Sequence, residues 1–350
     1  MGRKGRYKFN SKARVAISPY CNLKCHYCDN SRESSQDRVV SMEDFRKTML
    51  SKGVISTMDY IRILAALLHG GFDMVDFTGG EPMLNKNWDL LVCSAKYMGF
   101  RSVEMTTNGT FISDYLLRNE MFPTELDRLK ISIDTNNSKL YNRIVGGRAN
   151  IEEIIDGIKR LKNTNPQLKL TANCVLCKNT ADHVIDYIEF IKDIGFDGIT
   201  FLDLVVRDTT KSNEIAFFSD EFLSGETIKD LIQSNYGPLA VYEDRHLYNV
   251  ELPNGLTIGL SDTKGLTKRD ERCDNCPCYC QEGLYTVRVA TDGFITDCLG
   301  PQGLCFDARL SIKNQTLEAD INQIYERLAT SKAGYHFDEF IKFLSGSQDG

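Results

Sequence analysis

The residues best suited to chemistry in this chain are its twelve cysteines. Cys21, Cys25 and Cys28 follow the spacing C-x3-C-x2-C, and Cys273, Cys276, Cys278, Cys280 and Cys298 fall within twenty-six residues, with Cys305 just beyond. Thiolates are ligands for iron and zinc, and three from one short loop suit an Fe–S cluster. Three ligands leave one iron of a cubane open to a small molecule, and an open metal position is the general catalytic arrangement. A zinc knuckle completed by His26 is the alternative for the same triplet. Cys93, Cys174 and Cys177 lie in segments that read as regular structure and are expected to be core residues. The five histidines show no HxH or HExxH spacing, so none is expected to be a ligand of that kind.

Elements must bring these cysteines into one site. The 350 residues carry 42 Lys+Arg against 48 Asp+Glu, a formal charge of −6, with 42% hydrophobic residues. That composition supports a sizeable core and argues against disorder, a disulfide mini-protein, general nucleic-acid binding and membrane-surface binding. No apolar run approaches the roughly 18 residues of a spanning helix, and no signal peptide follows the basic N-terminus, so the chain reads as cytoplasmic. Structural disulfides are rare there, which favours metal chemistry for the cysteines. Candidate strands at 13–18, 74–78, 102–107, 129–134, 168–176 and 199–205 alternate with helical patterns at 58–69, 88–98, 151–162 and 181–194. Repeated βαβ units of this kind predict a parallel sheet with helices outside it, either a partial barrel or a doubly wound sheet. Its site would lie at the carboxyl ends of the strands. Cys21 to Cys28, Gly79-Gly80-Glu81-Pro82, Asn108-Gly109 and Asp134-Thr135-Asn136 all follow candidate strands, placing four polar or glycine-rich loops on one rim. The alternation ends after Arg207, which divides the chain into a basic arm (1–12), a barrel (13–210) and a smaller C-terminal unit (211–350).

Cys21-x3-Cys25-x2-Cys28, with Tyr27 before the last cysteine and Thr78-Gly79-Gly80-Glu81-Pro82 downstream, resembles the radical S-adenosylmethionine (SAM) superfamily. The resemblance implies a partial (βα)6 barrel and a [4Fe-4S] cluster whose open iron chelates SAM. It also implies reductive cleavage of SAM to methionine and a 5′-deoxyadenosyl radical that abstracts hydrogen from a substrate, with an electron donor such as flavodoxin or ferredoxin. On this pattern Tyr27, Thr78, Gly79, Gly80, Glu81, Pro82, Thr107, Asn108 and Ser132 are the expected SAM contacts. The two glycines would allow close backbone approach to SAM.

The second cluster, from Arg272 through Cys273, Cys276 and Cys280 to Asp292-Gly293 and Cys298, resembles the auxiliary-cluster region of the GTP cyclase family of molybdenum-cofactor biosynthesis. It is more loosely similar to Twitch and SPASM domains. A second Fe–S cluster is implied, with Cys273, Cys276, Cys280 and Cys298 as candidate ligands; a structural zinc site is the alternative. The cyclase pattern favours Cys273, Cys276 and Cys298, whereas the hairpin spacing favours Cys280 and Cys298 with upstream partners. Departures from the cyclase pattern bear on the substrate. Asp76 and Met74 stand where that family has triphosphate-binding bases, and Thr286 replaces one of two arginines, leaving Arg288. An acidic residue facing a triphosphate is repulsive, so GTP is not the expected substrate. Arg14 and Arg288 are the expected substrate contacts. The expected function is radical cyclisation, rearrangement or oxidation of a small molecule, nucleotide- or sugar-like. A peptide-modifying (RiPP maturation) enzyme and a non-catalytic Fe–S or zinc sensor or scaffold are the alternatives. The absence of a leader-binding segment before residue 13 weighs against the peptide reading.

Overall fold

A computed structural model describes residues 11–28, 54–147, 149–181, 183–205, 212–223, 225–242, 247–261, 268–275, 283–298 and 302–333. Six parallel strands follow one another in space as in sequence: β1 (Lys12–Ser18), β2 (Met74–Gly79), β3 (Ser102–Thr107), β4 (Arg128–Ser132), β5 (Lys169–Leu176) and β6 (Gly198–Asp203). Helices α1 (Thr57–His69), α2 (Trp88–Met98), α3 (Ile112–Asn119), α4 (Ser138–Ile144), α5 (Ile151–Thr164), α6 (Lys178–Ala181) and α7 (Val184–Ile194) connect them. This is the α/β architecture of a partial barrel.

Period-2 alternation explains both faces of the sheet. Ala13, Val15 and Ile17 of β1 are fully buried, and the ladder aligns them with Val75 and Phe77, then with Val103 and Met105. That row packs in one core with α1 residues such as Ile63, Leu64 and Leu67. The intervening residues, Lys12, Arg14, Asp76, Glu104, Arg128 and Lys130, share the opposite face and form a polar lumen. Helix ends follow their capping residues. Ser56 accepts the Asp59 N–H at the start of α1, Asn150 accepts that of Glu152 at the start of α5, and Gly99 ends α2 in the left-handed conformation.

Beyond the barrel lie α8 (Ser212–Glu221), α9 (Gly225–Tyr236), β7 (Ala240–Tyr242), β8 (Leu247–Glu251), β9 (Thr257–Ser261) and β10 (Lys268–Arg269). They are followed by β11 (Val287–Val289), β12 (Phe294–Thr296), β13 (Cys305–Asp307), α10 (Ala308–Asn314), α11 (Leu317–Thr330) and β14 (Lys332–Ala333). Where the sequence pattern suggests helix and loop up to Tyr248, the chain forms two helices and then β7 and β8. Strand β11 runs parallel to β1 and β9 parallel to β6, so one twelve-stranded sheet, ordered β13-β12-β11-β1-β2-β3-β4-β5-β6-β9-β8-β7, spans the described residues. The boundary expected at 207–215 falls on α8 and on residues 206–211, which lie outside the described set. Among the described residues no helix is long and apolar enough to cross a membrane.

Candidate active site

The first cysteine loop leaves β1 and is stapled to the end of α4. Lys24 N–H donates to Val145 O at 3.2 Å and His26 N–H to Ile144 O at 3.0 Å. Cys21 and Cys25 are half-buried and Cys28 is exposed. Burial, then the charges of Glu81 and Cys28, push the Cys21 thiol up to about 12. Burial and the Cys28, Asp134 and Cys21 charges raise Cys25 well above the usual thiol range. Such thiols hold negative charge only beside a cation, which is the donor chemistry of a cluster ligand. Tyr141 of α4 is fully buried, and its hydroxyl has no hydrogen-bond partner among the described residues; Cys25 and Cys21 are among the groups that raise its pKa, after burial. An orphaned O–H donor beside the thiols fits an acceptor such as a cluster sulfide. His26 is exposed, and among the described residues no three His, Cys, Asp or Glu side chains gather as ligands of one ion.

The glycine loop after β2 is pressed against the cysteine loop. Gly80 N–H donates to Ser18 O at 2.7 Å and Glu81 N–H to Tyr20 O at 2.6 Å. A Cβ on Gly80 would lie 2.1 Å from Tyr20 O, and one on Gly79, whose φ is +130°, would lie 2.4 Å from Ser18 O. The space on the Cβ side of both glycines is thus filled by the chain's own backbone at the root of the cysteine loop. Glu81 is fully buried and its carboxylate accepts from Met83 N–H at 3.0 Å, Thr107 Oγ1 at 2.7 Å and Asn108 N–H at 2.8 Å. Burial raises its carboxyl to about 7 despite these three donors. Glu81 and Pro82, which opens the turn 82–84, clamp the ends of β2 and β3 together. Asn108 donates through Nδ2 to Asn22 Oδ1 at 2.8 Å and lies 3.6 Å from Cys21 Sγ. Thr78 is buried at the end of β2, and Ser132 ends β4 opposite Asn173. Tyr27 donates its hydroxyl to Asp134 Oδ2 at 2.5 Å, and burial pushes the Asp134 carboxyl up to about 6.

Beside this rim is a cavity of about 270 Å³ lined by Tyr27, Val175, Asn179, Thr180, Arg143 and Glu221. Glu221 Oε1 accepts from Asn179 at 2.6 Å, while its buried Oε2 has no partner among the described residues. None of these residues but Tyr27 is expected from sequence; they come from the end of β5, from α6, from α4 and from α8, and carry no local motif. Cys174 and Cys177 are buried as expected, the first in the main core and the second with Leu204 and Phe218. Cys93 is only half-buried.

Below the rim the lumen is charged. Cross-strand register places Arg288, Arg14, Asp76, Glu104 and Arg128 side by side on five strands. Lys130 lies 2.7 Å from both Asp76 and Glu104, and Lys12 lies 2.7 Å from Glu104. Asp76 is therefore neutralised, which corrects the expectation that it would simply repel an anion. Burial would raise Glu104, but Lys130 and Lys12 overcome it and hold the carboxyl far below the usual range. Five cations (Lys12, Arg14, Arg128, Lys130, Arg288) against two anions (Asp76, Glu104) leave the row at +3. Arg14 Nε is buried without a hydrogen-bond partner among the described residues, and its terminal nitrogen lies 3.5 Å from Thr78 Oγ1. Sequence already hints at this face through charges two apart in strands (Lys12/Arg14, Arg128/Lys130), but register is needed to pair them.

Strand β12 returns antiparallel to β11 with Thr296 opposite Arg288, itself level with Arg14. Cys298 lies two residues further toward the amino ends of the strands, at the opposite end of the lumen from Cys21. Cys273 and Cys298 are half-buried against the core. Cys276 and Cys280 lie outside the described residues. The charge run at 268–272, expected to be a solvated loop, instead forms β10 and an ion pair from Asp270 to Arg327.

The chain is similar to known proteins in sequence and in fold. The chain is 24% identical over 322 residues to the GTP 3',8-cyclase of Aliarcobacter butzleri, covering 90% of this chain and 86% of that protein. It is 26% identical over 304 residues to the GTP 3',8-cyclase of Lactiplantibacillus plantarum, covering 83% and 80%. Among solved structures, native anSMEcpe with bound AdoMet superposes with a TM-score of 0.54 at 17% identity, over 90% of this chain and 82% of that one. Streptococcus suis SuiB bound to precursor peptide SuiA gives 0.53 at 16% identity, over 84% of this chain and 60% of that one. These two likenesses are of fold. The model of the radical SAM superfamily matches residues 15–191, just over half of the chain, and the protein belongs to that superfamily.

Proposed function

We propose that this radical SAM enzyme acts on a small anionic molecule held in the barrel lumen, abstracting hydrogen to start a cyclisation, rearrangement or oxidation. The observation that carries the proposal is the +3 charge row lying between two cysteine-bearing ends of one lumen. Cys21, Cys25 and Cys28 would hold the [4Fe-4S] cluster, and Cys298 with Cys273, Cys276 and Cys280 the auxiliary one. When bound, the first cluster supplies the electron that cleaves SAM to methionine and the 5′-deoxyadenosyl radical.

The chain's own residues position and shield. Glu81 ties the glycine loop to Thr107 and Asn108, so the rim that would receive SAM is preorganised. Tyr27 and the cavity beside it would take the adenosyl part. Arg14, with an unpartnered buried Nε, and Arg288 would orient an anionic group of the substrate. Asp76 and Met74 stand where the cyclase family has triphosphate-binding bases, which supports a substrate other than GTP, and Lys12 and Lys130 are committed to Glu104 and Asp76, which leaves the arginines of the row to meet the substrate. The electron donor would be an acidic carrier such as flavodoxin or ferredoxin. The exposed Lys24 and His26 of the cysteine loop, with Lys139 and Arg143 of the helix stapled to it, would offer such a carrier a basic surface in a chain that is acidic overall.

Anaerobic reconstitution followed by a SAM-plus-reductant assay tests the proposal. We expect methionine, 5′-deoxyadenosine and, for two cubanes, about eight irons per chain. Replacing Cys21, Cys25 and Cys28 by Ala should abolish cleavage. Zinc alone in the purified protein, with neither product formed, would refute the proposal. Arg14→Gln should spare SAM cleavage in the absence of substrate; stimulation of wild-type cleavage by GTP, lost in Arg14→Gln, would keep the role given to Arg14 but overturn the reading that GTP is not the substrate.

A further inference from the structure

We infer that Arg327 is a positioning residue for the second metal site, holding the Cys273 and Cys298 turns at one place so that both thiols reach the same cluster. The inference rests on the proposal that these cysteines are ligands. Arg327, near the end of α11, is only 7% exposed, yet it spends its guanidinium on two chain segments far apart in sequence. Nε and one terminal nitrogen donate to Asp270 at 2.5 and 3.0 Å, a bidentate fork. The other terminal nitrogen donates to both oxygens of Asp297, at 3.0 and 3.1 Å, and to Gln302 O at 3.1 Å.

Each aspartate organises a cysteine turn. Asp270 O accepts from Cys273 N–H at 2.9 Å, and Asp270 Oδ1 accepts from Arg272 N–H at 3.1 Å and lies 3.5 Å from Cys273 Sγ. Asp297, 1% exposed, directly precedes Cys298 and accepts from Leu304 N–H at 3.0 Å, closing the turn that follows. Gly303 fits that turn because a Cβ there would lie 3.0 Å from Cys298 O. Burying a guanidinium with two carboxylates adds little net stability over an apolar cluster of the same size. What it does provide is directional: five hydrogen bonds fix the relative placement of two segments that share no strand pairing with each other among the described residues. An apolar residue could fill the volume but not set that geometry.

The test uses the reconstituted full chain with Arg327→Met and, as a gentler change, Asp270→Asn, read by iron content, cluster EPR, SAM binding and the rate of iron release to a chelator. Wild type should hold about eight irons. Arg327→Met should hold about four, with SAM binding and substrate-free SAM cleavage unchanged. Asp270→Asn should release half of its iron at least about tenfold faster than wild type. Full, wild-type-like retention in both variants would overturn the inference. So would parallel loss of both clusters and of SAM binding, which would mark Arg327 as merely structural; should Arg327→Met fail to fold, Asp270→Asn alone decides on the same readings. A wild-type protein with only four irons would instead remove the second cluster itself, a distinct outcome.

Discussion

Replacing Gly80 by alanine should disable the enzyme without touching any ligand. An added Cβ would stand 2.1 Å from Tyr20 O, 2.3 Å from Tyr20 C and 2.9 Å from Cys21 N, all backbone atoms that cannot rotate away. Ordinary van der Waals contact begins at 3.4 Å, so relief needs a displacement of 3.4 − 2.1 = 1.3 Å at the root of the cysteine loop. That movement would break the 2.7 Å bond from Gly80 N–H to Ser18 O and the 2.6 Å bond from Glu81 N–H to Tyr20 O. It would shift Cys21 relative to the rim by about the same amount. Misplacement of a reacting group by about 1 Å costs on the order of 100-fold in rate. Gly80→Ala should therefore lower SAM cleavage at least about 100-fold and reduce iron retained by the first site, measured by 5′-deoxyadenosine formation and iron per chain after anaerobic reconstitution. Gly99→Ala is the control. Its Cβ meets nothing within 4 Å, and only its left-handed φ of +106° resists substitution, costing about 1–2 kcal/mol of stability. Wild-type cleavage and iron content in Gly80→Ala, or an equal loss in Gly99→Ala, would refute the close-approach reasoning.

Lys130→Met leaves Asp76 and Glu104 buried with one fewer cation, and loss of one partner from a buried ion pair costs about 3–5 kcal/mol; denaturant midpoints of the metal-free protein should show it, whereas a change below 1 kcal/mol would mean the network is solvated. The Glu104 carboxyl is depressed in the folded state, so its contribution is present above the unfolded value of about 4.3 and is lost as pH falls below it. Glu104→Gln should accordingly be less stable than wild type at pH 7, with the gap closing below about pH 4; a constant gap down to pH 3 counts against the linkage. Lys24→Glu with Lys139→Glu should slow reduction by an acidic carrier protein at least about tenfold at low salt, with the difference shrinking at high salt. Reduction by dithionite should be unchanged, and a salt-independent effect would place the defect elsewhere.

Much of the barrel is readable from pattern because its strands are buried on one face and its longer helices are amphipathic. Strand 102–107 and helix 88–98 coincide with the expected segments, and α1 begins one residue earlier than its pattern suggests. The shorter helices α3 and α4 escape notice, since seven or eight residues give only two turns of periodicity. Helix α7 begins three residues later than expected because Lys178–Ala181 forms a separate turn. The cysteine triplet and Gly79-Gly80-Glu81-Pro82 are local motifs and stand where the sequence puts them, on one rim. Their internal logic is not local: that Gly80 yields to Tyr20, or that Glu81 joins Thr107 to Asn108, depends on contacts across strands. The same holds for Asp76, whose sign is legible in the sequence but whose partner Lys130, on a strand two places away, is not. Arg327 is hidden for the same reason, as an ordinary helical residue until the fold brings Asp270 and Asp297 to it.

The pairing of β1 with β11 has a consequence for how the chain must be made. Thr286 Oγ1 donates to Lys12 O at 2.6 Å across a separation of 274 residues, so the first of the described strands receives one of its two neighbours only after the other barrel strands have been made. Closing so long a loop is entropically expensive and slow. Until then β1 is an exposed sheet edge, and its alternate charged residues Lys12 and Arg14 are of the kind that discourages edge-to-edge association. A chain cut before residue 287 would keep the six barrel strands and the first cysteine loop but leave that edge bare and one wall of the lumen missing. The C-terminal segment is thus a required part of the barrel's own sheet, and nascent chains would depend on protection from aggregation until it emerges.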